Sequence, residues 1–156
     1  MKKIPLTTDK FALVDSVDYN RLSQFKWHLH SVRDSYYYAV RYICQKGKTQ
    51  AVLMHREILN PPDYMQIDHR NRDGLDNRKT NLRVCTHAEN MQNRSLAKNN
   101  KSGFKGVYLE KHAKKWRARI GVNKKEISLG SFDTPTEASM AYIIASIKYH
   151  GDFARA

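Results

Sequence analysis

A chain of 156 residues can hold one ordinary domain or two small ones, each with a thin core. A formal charge of +13 and a pI near 9.8 imply an acidic partner, and nucleic acid comes first because each neutralised phosphate releases counterions. No apolar run approaches the ~20 residues that span a bilayer, and the opening MKKIPLTTDKF has no apolar stretch behind its lysines, so neither a membrane protein nor a secretory signal is expected and the cytosol is the expected compartment.

Residues 1–50 read as a small β-rich lead-in. Phe11–Val14 is a short strand, and Asp15-Ser16 is a cap signal for a helix from 17 to about 24. Trp27 and Leu29 alternate with Lys26, His28 and His30. Residues 36–44 alternate again and 50–54 form a third run, with Lys46-Gly47-Lys48 as the turn between them. The pattern predicts a three-stranded meander. Tyr36, Tyr37 and Tyr38 are expected to pack within it, since aromatic residues favour strands. His28 and His30 share a face at a spacing metals can use, but no third ligand stands nearby, so a solvated strand face is expected. Cys44 and Cys85 each fall in a predicted strand and are expected to be buried free thiols. With no Cys-x-x-Cys in the chain, no structural zinc is expected.

A short helix should follow at 55–59, stopped by Asn60-Pro61-Pro62. Residues 66–94, QIDHRNRDGLDNRKTNLRVCTHAENMQNR, then predict strand, loop, strand and helix. The first strand carries Asp68 and His69 side by side. The second is Leu82–Cys85, and Thr86 with Glu89 has the spacing of a capping box. Asp68 and His69 point to opposite faces of a regular strand, so both serve one site only where the strand ends and twists. Asn90, early in the helix, is placed to reach back toward Asp68. Two oxygen ligands with a histidine beside them make a cradle for one hard divalent cation.

At these residues the segment resembles the HNH endonucleases, the ββα-metal or His-Me finger group, and in particular their homing-type branch in phages. The features that carry the resemblance are Asp68-His69, Asp73-Gly74 with Asp76-Asn77, Asn81-Leu82-Arg83, Thr86 and Asn90, which agree in order and spacing. Asn90 stands where the namesake motif has a final histidine, a variant the homing branch shares. The resemblance implies metal-dependent hydrolysis of DNA phosphodiesters. His69, an imidazole that is neutral and basic near physiological pH, would activate the water. Asp68 and Asn90 would hold one metal, magnesium first and manganese as the alternative. Asn81 would tie the loop together and help fix the orientation of His69, or serve as a turn asparagine. His55, in the His-Arg helix that often precedes such a site, would support it. Arg72, Arg78 and Arg83 are candidates for holding phosphates, with a solvated surface charge as the alternative for each. His87 is expected to be exposed and idle.

Residues 95–102, SLAKNNKS, are polar and aperiodic and read as a linker with an end-to-end distance of ~15 Å. Beyond it, three short strands are predicted at 104–109, 115–122 and 125–129. In the middle one Trp116, Ala118 and Ile120 face a core while Arg117 and Arg119 face away. From 101 to 125 there are nine Lys or Arg against one acid, Glu110. Thr134-Pro135-Thr136-Glu137 starts a helix that should run to about 149, end at His150-Gly151, and bury Ala138, Ala141, Tyr142, Ala145 and Tyr149. Trp116, by its parity, is expected under that helix rather than on a ligand.

A three-stranded antiparallel sheet backed by a helix, with Gly106-Val107, Trp116-Arg117-Ala118, Leu129-Gly130-Ser131-Phe132, Glu137-Ala138 and Ala141-Tyr142, resembles the Apetala/ethylene-response-factor DNA-binding domain. That family lays its sheet in the major groove. Carried over by position, the groove-facing residues would be Lys105, Tyr108, Arg117, Arg119, Glu126 and Ser128. Tyr108, Glu126 and Ser128 depart from the plant pattern, so base preference does not transfer, and Glu126 faces a cytosine amino group or sits at the edge.

The sequence therefore predicts an α+β protein. Residues 1–94 form a nuclease module, 95–102 a linker and 103–156 a module that selects double-stranded DNA. Catalytic roles fall to His69, Asp68, Asn90 and Asn81. No membrane partner or small-molecule cofactor is expected, and a monomer would nick one strand per site. The alternative is a DNA-binding regulator whose nuclease module no longer cuts; an RNA partner fits the charge but not a major-groove sheet.

Overall fold

The computed structural model describes residues 1–33, 36–97 and 99–155, so position 98 of the predicted linker lies outside the described residues. Contacts gather the chain into two compact units, Met1–His87 and Ala88–Ala156. The fold is α+β, as the sequence predicts.

The first unit opens with a hairpin that sequence reading only half saw. β1 (Lys2–Pro5) pairs antiparallel with β2 (Phe11–Val14), and α1 (Ser16–Ser23) follows. β3 (His28–Arg33), β4 (Tyr36–Gln45) and β5 (Lys48–Leu53) make the predicted meander, in the order β3-β4-β5. Lys46 and Gly47, with φ of 49° and 74°, make the tight turn between the last two. α2 (Met54–Leu59) ends at Asn60 in the left-handed region, φ 43°, just ahead of the two prolines that forbid its continuation. Ile4, Leu6, Ala12, Val14, Leu22, Trp27, Ala39 and Met54 form the core. Trp27 donates its indole N–H to the Leu22 carbonyl at 2.9 Å, so its one polar atom is satisfied inside.

β6 (Gln66–His69) and β7 (Leu82–Cys85) pair antiparallel, and α3 (His87–Gln92) follows. The loop between β6 and β7 is fastened to β2 by two backbone bonds, Leu13 N–H to the Leu75 carbonyl and Asn77 N–H to the Leu13 carbonyl, both 2.8 Å. Asp15 was expected to cap α1. Its side chain makes no cap bond and instead accepts the Lys79 backbone N–H at 2.8 Å. The lead-in is therefore part of the scaffold of the loop. Cys85 is buried as expected, but Cys44 is exposed: it lies at the far end of β4, opposite Thr49, where β5 buries nothing.

In the second unit β8 (Val107–Glu110), β9 (Lys115–Val122) and β10 (Lys125–Phe132) form an antiparallel sheet in the order β10-β9-β8. α4 (Pro135–His150) lies against it and leads into a 3-10 turn, Gly151–Phe153. Thr134 and Glu137 complete the predicted capping box. Val107, Ala118, Ile120, Ala138, Tyr142 and Ala145 are the buried core, with Trp116 packed against it. Tyr149, expected in the buried stripe, is 40% exposed, and Ser139 and Ser146 are buried instead. Ser146 meets the cost of burial by donating its hydroxyl to the Ile143 carbonyl at 2.8 Å. The residues of α3 beyond His87 go with this unit, where the Lys105 ammonium donates to the Gln92 carbonyl and Arg155 donates to the Asn93 carbonyl.

Candidate active site and nucleic-acid face

β6 delivers Asp68 and His69 from its last two positions. Asp68 stands opposite Arg83 in the β6–β7 register, which puts both side chains on one face of the pair. The guanidinium takes the carboxylate with Nε at 2.7 Å and Nη2 at 2.5 Å from Oδ2. Arg83 is a candidate for a DNA phosphate or a solvated charge by sequence; the structure sets it on Asp68, and its side chain is only 10% exposed.

His69 lies in an aromatic cup. The His55 ring meets it edge-on at 5.1 Å between centroids, and the Tyr38 ring lies 5.8 Å from His69 and 5.2 Å from His55. Tyr38 is therefore more than sheet packing. Gly74 makes room for it, since a β-carbon there would come within 2.3 Å of the Tyr37 carbonyl oxygen and 2.8 Å of the Tyr38 ring. His69 Nε2 lies 3.3 Å from Asn77 Oδ1, and Asn77 gives its own amide N–H to the Leu75 carbonyl. The amide oxygen thus faces the ring, Nε2 carries the proton, and Nδ1 is the basic nitrogen. His69 is 2% exposed and Asp68 5%. Burial pulls the His69 pKa below its ordinary value, only partly countered by the bond to Asn77 and the charge of Asp68, so the ring is neutral at physiological pH.

Sequence reading assigned the orienting role to Asn81. That residue bonds elsewhere: its oxygen accepts the Asn71 backbone N–H at 3.0 Å and its amide donates to the Asp76 carbonyl at 2.7 Å. It closes the loop, as expected, while Asn77 holds the histidine. Asn77 belongs to the quoted motif, but only the fold reveals that its side chain turns inward. Arg78 lies on Asp76, 2.7 and 2.6 Å from its two oxygens, and holds that carboxyl below the usual carboxylate range. Arg72 is exposed with φ 66°. Asn90 lies in α3, in the second unit. His87, expected to be idle, is exposed but accepts the Gln66 side-chain amide at 3.1 Å. His28 packs against the Tyr42 ring. Among the described residues no three His, Cys, Asp or Glu side chains gather as a metal site.

Burial pushes the His55 pKa down to about 3, with smaller contributions from His69 and Arg56. A pKa below the unfolded value means that the unfolded chain binds the proton first, so this stability is intact above pH ~6.5 and declines as pH falls. From pH 7 to 5 this residue alone should lower unfolding free energy by about 2 kcal/mol. Urea unfolding at the two pH values checks it, and His55→Phe, which keeps a ring but cannot titrate, should lose correspondingly less.

In the second unit the outward face of the sheet carries Tyr108, Arg117, Arg119, Glu126 and Ser128. Tyr108 stands opposite Arg117, and Arg119 opposite Ser128. Arg117 Nε is 2.6 Å from Glu110 and Arg119 Nη1 is 2.7 Å from Glu126. The Arg119 guanidinium also lies 4.7 Å from the Tyr108 ring centroid. Lys105, placed on this face by sequence, lies elsewhere. It precedes β8, Gly106 at φ 70° breaks the alternation, and its ammonium is on Gln92.

A sequence model of the HNH endonuclease family matches residues 60–92, and that of the AP2 domain matches 102–152. Protein 3.8 of Escherichia phage T7 is 31% identical over 94 residues, 60% of this chain and 77% of that protein. The chain belongs to the protein 3.8 family and joins an HNH endonuclease segment to an AP2 domain. The AP2 domain is also similar to two plant proteins. APETALA2-like protein 2 of Oryza sativa subsp. indica is 48% identical over 52 residues, and an AP2-like ethylene-responsive transcription factor of Arabidopsis thaliana is 42% identical over 52. The chain spans only 12% and 15% of the lengths of those two plant proteins. No solved structure matches the chain. The HNH match begins just after α2 and runs through β6, the loop, β7 and α3, so Asp68, His69, Asn77, Asn81 and Asn90 all lie within it. The AP2 match takes in the whole β8–β10 sheet and α4.

Proposed function

We propose that the chain is a metal-dependent DNA endonuclease that hydrolyses one strand per active site, at places selected by its AP2 domain. The observation that carries this reading is the state of His69: a neutral ring next in sequence to Asp68, with its Nε2–H fixed on Asn77 so that Nδ1 is the base. In the reaction Nδ1 takes a proton from a water as that water attacks phosphorus, and the 3′ oxygen departs. The tautomer is set before substrate arrives, which removes one source of misorientation.

The donor fits a hard cation in kind. Asp68 offers a carboxylate oxygen, and magnesium commonly takes one or two protein oxygens and keeps water for the rest. Such an ion would neutralise charge on the phosphorane and assist the leaving oxygen. Arg83 already holds Asp68 Oδ2, so that carboxylate would serve both the guanidinium and the ion. In this reading residues 1–94 cut, 95–102 link, and 103–156 choose the site, within a bacterial or phage-infected cell.

Two features favour the other reading, a DNA-binding regulator that does not cut: His69 is 2% exposed, and Asp68 is held by Arg83. An end-labelled duplex incubated with the protein and Mg²⁺, or with chelator, separates them. A metal-dependent cut leaving a 3′ hydroxyl supports the nuclease; binding without cutting supports the regulator. On the same duplex, Arg117→Ala with Arg119→Ala should weaken binding, and should flatten the salt dependence by about one phosphate equivalent for each of the two that touches the backbone. Unchanged affinity and slope would take both arginines out of the interface.

A further inference from the structure

We propose that Glu126 is a specificity-determining residue of the AP2 sheet, holding the Arg119 guanidinium over Tyr108 in the orientation that reads a guanine. This deepens the reading of that sheet as a DNA-binding face and rests on it. An exposed arginine on a strand samples many rotamers and gives up that freedom when it docks. Here the freedom is already restricted on two sides. Tyr108 lies beneath the guanidinium, with the centroid 4.7 Å from Cζ, and Glu126 Oε2 takes Nη1 at 2.7 Å. The site remains accessible, since the Arg119 and Glu126 side chains are 49% and 59% exposed.

An ion pair this exposed adds little to stability, so its value lies elsewhere. Guanine offers N7 and O6 side by side in the major groove, and a planar guanidinium meets both with its further N–H donors. Holding the plane fixed favours that one match over looser contacts to phosphate or to other bases. The carboxylate adds a second filter. It only accepts hydrogen bonds and it repels phosphate, so it penalises any docking in which Arg119 leaves it for the backbone. Glu126 therefore weakens binding in general and sharpens it for one base pair.

The test is a binding selection from a randomised duplex library with the full chain, comparing wild type with Glu126→Ala, Glu126→Gln and Arg119→Lys. Wild type should enrich a G·C pair at one position. Glu126→Ala should lose that enrichment about tenfold, the scale of one bidentate base contact, while binding a fixed unrelated duplex several-fold more tightly. Glu126→Gln, which keeps an acceptor oxygen without the charge, should fall between. Arg119→Lys, which keeps charge but not the planar fork, should lose preference at the same position, and adding Glu126→Ala to it should cost nothing further there. Equal enrichment by wild type and both Glu126 variants, with all duplexes bound more tightly, would make Glu126 a general surface charge and overturn the proposal. A wild type that selects no sequence would remove the sheet as a reader altogether, and the proposal with it.

Discussion

Replacing His69 with alanine is expected to slow strand cleavage by about 10²–10⁴-fold, the usual contribution of a positioned general base. The measurement is a single-turnover rate on a bound, end-labelled duplex with Mg²⁺, which separates chemistry from binding. Affinity for the duplex should change little, because the residue is buried and neutral, so its loss takes no charge from the DNA-binding surface. Asn77→Ala supplies the finer test. It leaves the imidazole in place and removes the acceptor that fixes Nε2–H, so the rate should fall by less than in His69→Ala. Equal rates for wild type and His69→Ala would remove His69 from the chemistry. A variant that no longer binds the duplex would instead report lost structure, since His69 packs against His55 and Tyr38.

Gly106→Ala is expected to destabilise the chain by about 3 kcal/mol, combining a positive-φ penalty of about 1–2 kcal/mol with overpacking. Gly106 sits at φ 70°, and a β-carbon there would lie 2.2 Å from the Tyr142 ring and 2.5 Å from the Arg119 carbonyl oxygen. Neither neighbour can yield easily: Tyr142 is a core residue, and Arg119 N–H donates to the Gly106 carbonyl at 2.9 Å. Two other glycines separate the causes. Gly103 has φ 76° with open space around it, so Gly103→Ala should show the conformational penalty alone. Gly121 has open space and no positive φ, and Gly121→Ala should be near neutral. Urea unfolding of the three variants checks the order; a Gly106 variant as stable as the Gly121 variant would mean that the close approach to Tyr142 carries no energy.

The AP2 half was the more legible from sequence, for a physical reason. Its signals are local: alternation of Trp116, Ala118 and Ile120 against Arg117 and Arg119, the capping box at Thr134, and a stop at Gly151. Tyr149 and Lys105 were misplaced where local periodicity gives way, one in the last turn of the helix and the other across a positive-φ glycine. In the HNH half the order of elements was legible, but the partners of the site were not. Leu13 and Asp15 fasten the loop from more than sixty positions away, and no spacing rule connects them to Asn77 or Lys79. Tyr38 reaches His69 from a meander that read as a separate lead-in, whereas His55 stands beside His69 as the support the sequence expected. The arginines show the same limit from another side. The sequence offers Arg78 and Arg83 as candidates for phosphate and Arg117 and Arg119 for the groove, whereas the fold sets each beside a carboxylate.

Supercoiled plasmid offers the most direct measurement of the central claim, that a neutral His69 beside Asp68 cleaves DNA with a divalent ion. Purified wild type with Mg²⁺ should convert the plasmid to nicked circles before any linear form accumulates, and chelator should stop it. Plasmid that stays supercoiled with Mg²⁺ or Mn²⁺ while the protein binds it, or nicking that persists in chelator, would contradict the account.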